Sequence, residues 1–281
     1  MKFLFIVLSV FLSFSSNVTA ASPVSNQIEK INVNVRDHEM AVSFLGLSEG
    51  EATLIQGPND NNILVNTGGN GTRSELEDWL NRYNVDKLNT LILTNDFTKV
   101  SYKLINELIS EYKIEEIIAT TKLADQLAKN LTTKMTITNW QEGSKTKVLP
   151  EATATVQYAG VKPQEGLDFM LEFFNHRIFL MTSCSERAEQ VLLKKNVKDV
   201  HVFKLPKYTK ESPISETLIH YLNPQISVLF AAAEYGPNPD VLYDLNDTWS
   251  EIYYTKRHGT ITIKFTETKF EVITIPVTAE E

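Results

Sequence analysis

The chain has one cysteine, Cys184, so no internal disulfide can brace it and the fold must be held by its core. It has only five histidines, His38, His176, His201, His220 and His258, each isolated from the others in the sequence. It has no excess of positive charge. Lys and Arg number 27 against 35 Asp and Glu, and the formal net charge is −8. That sign disfavours nonspecific binding to nucleic acid or to an anionic membrane, because both repel an acidic body. Beyond the first twenty residues no apolar run is long enough to cross a bilayer. Short repeats, low-complexity tracts and an interior linker are absent as well, which argues against a repeat array or independent domains.

What is present begins with MKFLFIVLSVFLSFSSNVTAAS. Lys2 is a minimal positive n-region, Phe3 to Phe14 an apolar stretch too short for a comfortable span, and Val18-Thr19-Ala20 a small-residue cleavage signal. Residues 1–20 are therefore expected to be a signal peptide cleaved after Ala20, with an uncleaved anchor or a buried first helix as the alternatives. The expected product is exported, soluble, free of a membrane span and one unit more negative through loss of Lys2. A short polar linker, 21–30, precedes a single domain over 31–281. With 42% hydrophobic residues, a body of roughly 260 residues can build a sizeable core.

The hydropathy pattern predicts an α/β protein. Ile31, Val33 and Val35 alternate like a half-buried strand, and 42–45, 52–55 and 63–65 are further strands. Gly57-Pro58-Asn59-Asp60 marks a hairpin turn between the last two. A helix capped by Thr72 or Ser74 carries Leu76, Trp79, Leu80 and Tyr83 at helical spacing. Alternation continues with a strand over 88–94, a helix over 104–112, a strand over 114–119 and a helix over 121–130. Residues 131–166 are less regular apart from a strand over 153–158. A second series then runs through strands at 169–174, 178–182, 201–205 and 226–231, with helices near 186–195, 214–222 and 239–245. Two late strands, 260–265 and 270–275, close the chain. The two halves share a layout of strands followed by alternating strands and helices, which one αββα sandwich explains.

Several segments carry a family likeness. FLGLSEGEATLIQGP (44–58) resembles the F-L-D-V-G-Q-G-D-A-x-L-I motif of ComEC-type metallo-β-lactamase-fold domains, and NILVNTGG (62–69) resembles the N-I-L-I-D-T-G that follows it. LNTLILTNDFTKV is similar to L-D-A-L-I-L-T-H-x-H-x-D-H, RIFLMTSCSERAEQVLL to F-L-L-T-G-D-x-x-x-x-A-E-x-x-L-L, and VFKLPKYT to V-L-K-V-P-H-H-G-S. YGPNPDVLYDL and HGTITIKF resemble the closing Y-G-H-P-H-P-E-V-L and D-G-T-I-x-I segments. The resemblance implies an αββα sandwich of two mixed sheets flanked by helices, and for intact members a dinuclear metal centre, usually zinc, that hydrolyses phosphodiester bonds in nucleic acid.

At the positions that match the family's ligands this sequence has other residues. Asn95, Phe97, Lys99 and Val100 replace the histidines and aspartate after the L-T strand. Cys184 stands at the bridging aspartate, Lys207 and Tyr208 at P-H-H, and Asn238 at the last histidine after a one-residue deletion. The acidic positions of F-L-D-V and I-D-T-G hold Gly46 and Asn66. Zinc favours imidazole, thiolate and carboxylate, so this set implies no metal and no catalytic residues. The expectation is a secreted pseudo-hydrolase, a binding or accessory module for an unidentified small-molecule or protein ligand. Its degenerate cleft would bear Asn66, Asn95, Asp96, Lys99, Cys184, Lys207, Tyr208 and Asn238. Two alternatives stay open. One is a hydrolase using zinc on altered ligands such as Asp96, Cys184 and Lys207, or a metal-free carboxylate mechanism, marked by a compact cluster of ionisable groups at the strand ends. The other is a structural interaction protein, marked by an exposed apolar patch.

Three further features have alternative readings. GGNGTRS (68–74), with Arg73, could cradle an anion at a helix start or merely turn the chain. Glu234, Asp240, Asp244 and Asp247 could bind a cation or simply solvate a helix. The lone thiol of Cys184 lies in an apolar run and is expected to be buried and inert.

Overall fold

Two β-sheets stack face to face with helices on both outer surfaces. The computed structural model describes residues 30–94, 101–160, 162, 164–206, 214–230 and 238–277. The expected signal peptide, the linker except Lys30, and candidates Asn95, Asp96, Lys99, Lys207 and Tyr208 lie outside the described residues.

The first sheet is built from β1 (Met40–Phe44), β2 (Thr53–Gln56), β3 (Asn62–Val65), β4 (Thr90–Leu93), β5 (Glu116–Ala119), β6 (Thr136–Asn139), β14 (Thr260–Phe265) and β15 (Phe270–Ile275), in the order β15-β14-β1-β2-β3-β4-β5-β6. From β3 to β6 the strands are parallel, and α1 (Arg73–Arg82), α2 (Tyr102–Tyr112) and α3 (Thr121–Asn130) fall between them in sequence, as parallel pairing requires a crossover. The second sheet comprises β7 (Lys145–Leu149), β8 (Ala152–Ala159), β9 (Leu167–Phe173), β10 (His176–Leu180), β11 (Val202–Lys204), β12 (Ile226–Leu229) and β13 (Glu251–Tyr254) in the order β13-β12-β11-β10-β9-β8-β7. Its parallel half, β10 to β13, is crossed over by α4 (Glu186–Leu192), α5 (Glu216–Leu222) and α6 (Pro239–Asp247).

The side-chain alternation of strands sorts the apolar residues into three layers. Val42, Phe44, Ile92, Phe169, Ile178, Leu180 and Ile263 face the middle, between the sheets. Leu91 and Leu93 point the other way, onto Leu76, Leu80, Ile105, Leu108 and Leu123 of the first helical layer. Phe179 and Met181 do the same against Ala188, Leu192, Leu218 and Leu245. Both faces of the central strands are thus buried, so they read as continuous apolar runs. A fully buried side chain of this size contributes about 1.5–3 kcal/mol. Helix starts are set locally: Ser101, Thr120, Ser185 and Ser215 each accept a hydrogen bond from the amide three residues on.

Several elements depart from or refine the hydropathy reading. Residues 31–35 join no sheet, and Asn34 within them is left-handed. They form a strap in which Ile31 and Val33 rest on the first helical layer, pinned by Ile31 N–H donating to Arg82 O at 2.7 Å. In the irregular 131–166 stretch lie β6 and β7, short strands whose side chains are largely exposed or half-buried. β13 is an edge strand with no fully buried side chain, and a single helical turn, α7 (Thr255–His258), follows it. At α1, Thr72 occupies the cap position, but its hydroxyl turns back to Gly69, accepting from the Gly69 amide at 3.0 Å.

Candidate functional site

The C-terminal ends of the parallel strands of both sheets meet at one end of the sandwich, where α/β folds place their chemistry. Asn66 follows β3 in the left-handed region (φ 62°), and Thr94 follows β4. The two side chains interlock. Asn66 Nδ2 donates to Thr94 Oγ1 at 2.9 Å, and Thr94 N–H donates to Asn66 Oδ1 at 2.9 Å. Thr182, past the end of β10, donates its hydroxyl to Thr94 Oγ1 at 2.9 Å, and Leu167 N–H donates to Thr94 O at 2.7 Å. One threonine therefore ties the two sheets together at the cleft floor.

Beneath it lies Asp168 of β9, fully buried. Its Oδ1 accepts from the Thr182 and Ser183 amides at 2.6 and 2.8 Å, while Oδ2 has no partner among the described residues. Burial pushes the carboxyl up to about 6, outweighing those hydrogen bonds and the charge of Lys204, which act to lower it. Lys204 ends β11 and is itself buried. Its ammonium donates to Glu51 Oε2 and to Met181 O (3.1 Å), and sits 5.6 Å from the centre of the Phe230 ring. The other Glu51 oxygen, Oε1, is shielded and unpartnered among the described residues.

A second ion pair flanks the first. Glu165, 1% exposed, receives Arg187 through both oxygens (Nη2–Oε2 2.6 Å, Nε–Oε1 3.0 Å), together with the Ser185 hydroxyl and the Lys162 amide. Burial alone would raise this carboxyl. The hydrogen bonds from Arg187, Lys162, Tyr158 and Ser185 overcome that and hold it at about 2.

Of the eight sequence-level candidates, Asn66 and Cys184 lie at these strand ends. Cys184 is buried and its amide donates to Gln164 O at 2.7 Å. Asn238 sits at the start of α6. Its Oδ1 accepts from the Asp240 amide at 2.7 Å and caps α6, whose first residue is Pro239. The sequence reading missed Glu51, Asp168 and Lys204. The signal was there: each is a lone charge inside an apolar strand segment, GEATLI, GLDFML and VFKLP. Arg73 is occupied on the helix surface by Glu77 and Glu107, which leaves the GGNGTRS loop as a turn, with Gly68 and Gly71 at φ 82° and 80°.

A dinuclear metal centre does not fit the described residues. Asn66 has both ends of its amide engaged by Thr94, and Lys204 contributes a cation. No group of three or more His, Cys, Asp or Glu is placed to hold a metal ion among the described residues. Nor can the acidic position at Gly46 be refilled, because a Cβ there would stand 2.9 Å from the Gly259 carbonyl carbon. All five histidines are engaged in place. His176 Nε2 bonds Thr266 O at 2.9 Å beside His201, whose Nδ1 accepts from the Arg177 amide, at the opposite ends of β10 and β11. His38 meets Glu151, His220 lies between Glu216 and Asp247, and His258 stacks on Tyr254 while accepting its amide at 2.9 Å.

Neither a family model nor a curated protein sequence matches the chain. Solved structures do. The metallo-β-lactamase fold protein YhfI from Bacillus subtilis superposes with a TM-score of 0.60 at 13% identity, covering 81% of this chain and 100% of its own. A diphosphatase of the PhnP family gives 0.54 at 10% identity (80% and 97% covered), and Zn²⁺-bound PqqB from Methylobacterium extorquens 0.53 at 9% (79% and 99%). The α/β sandwich of two mixed sheets flanked by helices is thus the metallo-β-lactamase fold.

Proposed function

We propose that this chain is a secreted, non-catalytic member of the ComEC-like branch of that fold, a pseudo-hydrolase acting as a binding or accessory module. The observation that carries this reading is the interlocked Asn66–Thr94–Thr182 contact at the strand ends, which commits to structure the polar groups that a metal centre would need. Lys204 supports it, because a buried ammonium beside the same floor opposes a second cation. The phosphodiesterase chemistry that the ComEC resemblance implies for intact members depends on metal-activated water, and the chain lacks the imidazoles that would hold the metal. The remaining polar cleft offers hydrogen bonds to a small-molecule or protein ligand, with no cofactor.

The hydrolase alternative draws on one observation, the cluster of Asp168, Lys204 and Glu51 with its raised carboxyl. Asp168 has no solvent-exposed surface, so it is poorly placed to meet a substrate. Turnover of bis(p-nitrophenyl) phosphate and of single-stranded DNA, with zinc or manganese added, separates the two. A pseudo-hydrolase gives the buffer rate. Turnover that D168N abolishes would establish the hydrolase.

A further inference from the structure

At the end of the sandwich away from the strand-end cleft lies a cavity of about 230 Å³. Gln56, the last residue of β2, and Asn62, the first of β3, face each other there across the antiparallel ladder. The strap contributes Asn32 and Asn34, the hairpin turn Asn59, and the loop after α1 Asn84. Among the described residues, Asp60 is the one acidic or basic side chain in this lining apart from the Tyr83 phenol. Left-handed backbone accounts for some of the asparagines, since Asn34, Asn59 and Asn84 have φ of 48°, 59° and 56°. Glycine would serve that backbone equally, and Asn32, Gln56 and Asn62 are not left-handed.

The amides differ in how they are used. Asn62 is saturated: its Oδ1 accepts from Gln56 Nε2 at 3.1 Å, and its Nδ2 donates to Asp60 O and Lys87 O at 3.2 and 3.1 Å. This fixes Gln56 with its donor inward and leaves Oε1 shielded and without a partner among the described residues. The side-chain amides of Asn34, Asn59 and Asn84 also have no protein partner among the described residues. The strap is held in place, with Lys30 Nζ on Asn81 (2.6 Å) and Lys264 Nζ on Asn34 O (3.1 Å), so the cavity is preformed.

We infer that this cavity binds a neutral saccharide unit. Side-chain amides present a donor and an acceptor in one plane, matching adjacent hydroxyls. The half-buried Ile31, Val33 and Val35 offer an apolar edge for the C–H face of a sugar ring. Among the described residues the lining has no cation to hold a phosphate or carboxylate. A single carboxylate is also too few for calcium, which takes about 6–8 oxygen ligands. The volume lies below the roughly 300–1,000 Å³ of drug-sized pockets and suits one ring with the rest of a chain outside.

The test is calorimetric titration of the full chain with maltotetraose, cellotetraose and chitotetraose, repeated on the N59G/N84G double variant and on N32A. Glycine keeps the left-handed backbone while removing the amides, so melting temperatures equal to the parent's verify the fold. Saturable binding of at least one sugar, weakened about tenfold or more in both variants, is the expected result. Binding of none of the three sugars, or binding that both folded variants retain unchanged, overturns the inference.

Discussion

Asn66 and Thr94 hold each other in both directions, amide to hydroxyl and amide to amide, at 2.9 Å each. The position that the ComEC-type pattern fills with an acid is here a neutral clasp between adjacent parallel strands. Asn66→Asp tests it with little change in shape, since aspartate also tolerates the left-handed backbone. It replaces the Nδ2 donor with a carboxylate oxygen and adds a negative charge beside Thr94 Oγ1. Loss of about 1–2 kcal/mol in urea unfolding is expected, without any gain in metal affinity. An N66D variant as stable as the parent and newly able to retain zinc would show that the clasp is incidental.

Asp168 makes stability depend on pH in an unusual direction. Its folded-state value of about 6 stands above the ordinary 3.8, because burial disfavours its charge. The folded protein therefore binds this proton more tightly than the unfolded chain does. The contribution is complete below about 3.8 and is lost as the pH rises through about 6. D168N keeps the oxygen that accepts from Thr182 and Ser183 and removes the charge. Melting curves across that window should be flatter for D168N, and its stability above pH 6 should exceed the parent's. An unchanged slope would mean that another group titrates.

Lys204 and Glu51 form a buried pair bridging the two sheets. Truncating one partner strands the other charge. K204M should cost about 3–5 kcal/mol, whereas the K204M/E51L double variant should recover most of that loss. Additive losses in the double variant would deny the coupling.

Trp249 is 94% exposed and has φ of 60°, a backbone that costs an L-residue about 1–2 kcal/mol. It has almost no packing to lose. W249G should be neutral to about 1 kcal/mol more stable, since the relief of strain in the folded chain offsets the extra unfolded-state entropy that glycine brings. W249V should be about 1 kcal/mol less stable. Differential scanning calorimetry on the two variants decides it. A marked loss in W249G would reveal a packing role for the indole.

The sandwich was legible because its central strands are buried on both faces, so Leu91-Ile92-Leu93 and Ile178-Phe179-Leu180 read as unbroken apolar runs. Thr121–Asn130 matched its helix because Thr120 caps it and Leu123 and Leu127 carry its face. β6 and β13 were not legible, since TITN and EIYY bury little and owe their conformation to pairing at a sheet margin. Ile31–Val35 alternated like a strand but rests on helices. At the site, Asn66 and Cys184, both at strand ends, were visible in the sequence through the resemblance. The Glu51–Lys204 pair was not, because its members lie 153 positions apart and only the meeting of the sheets joins them.

The most direct test of the proposed pseudo-hydrolase reading is metal content. The purified chain is dialysed against zinc- and manganese-containing buffer, then against metal-free buffer, and measured by inductively coupled plasma mass spectrometry. Negligible retained metal is the expected result. Near-stoichiometric zinc or manganese would contradict the pseudo-hydrolase reading outright.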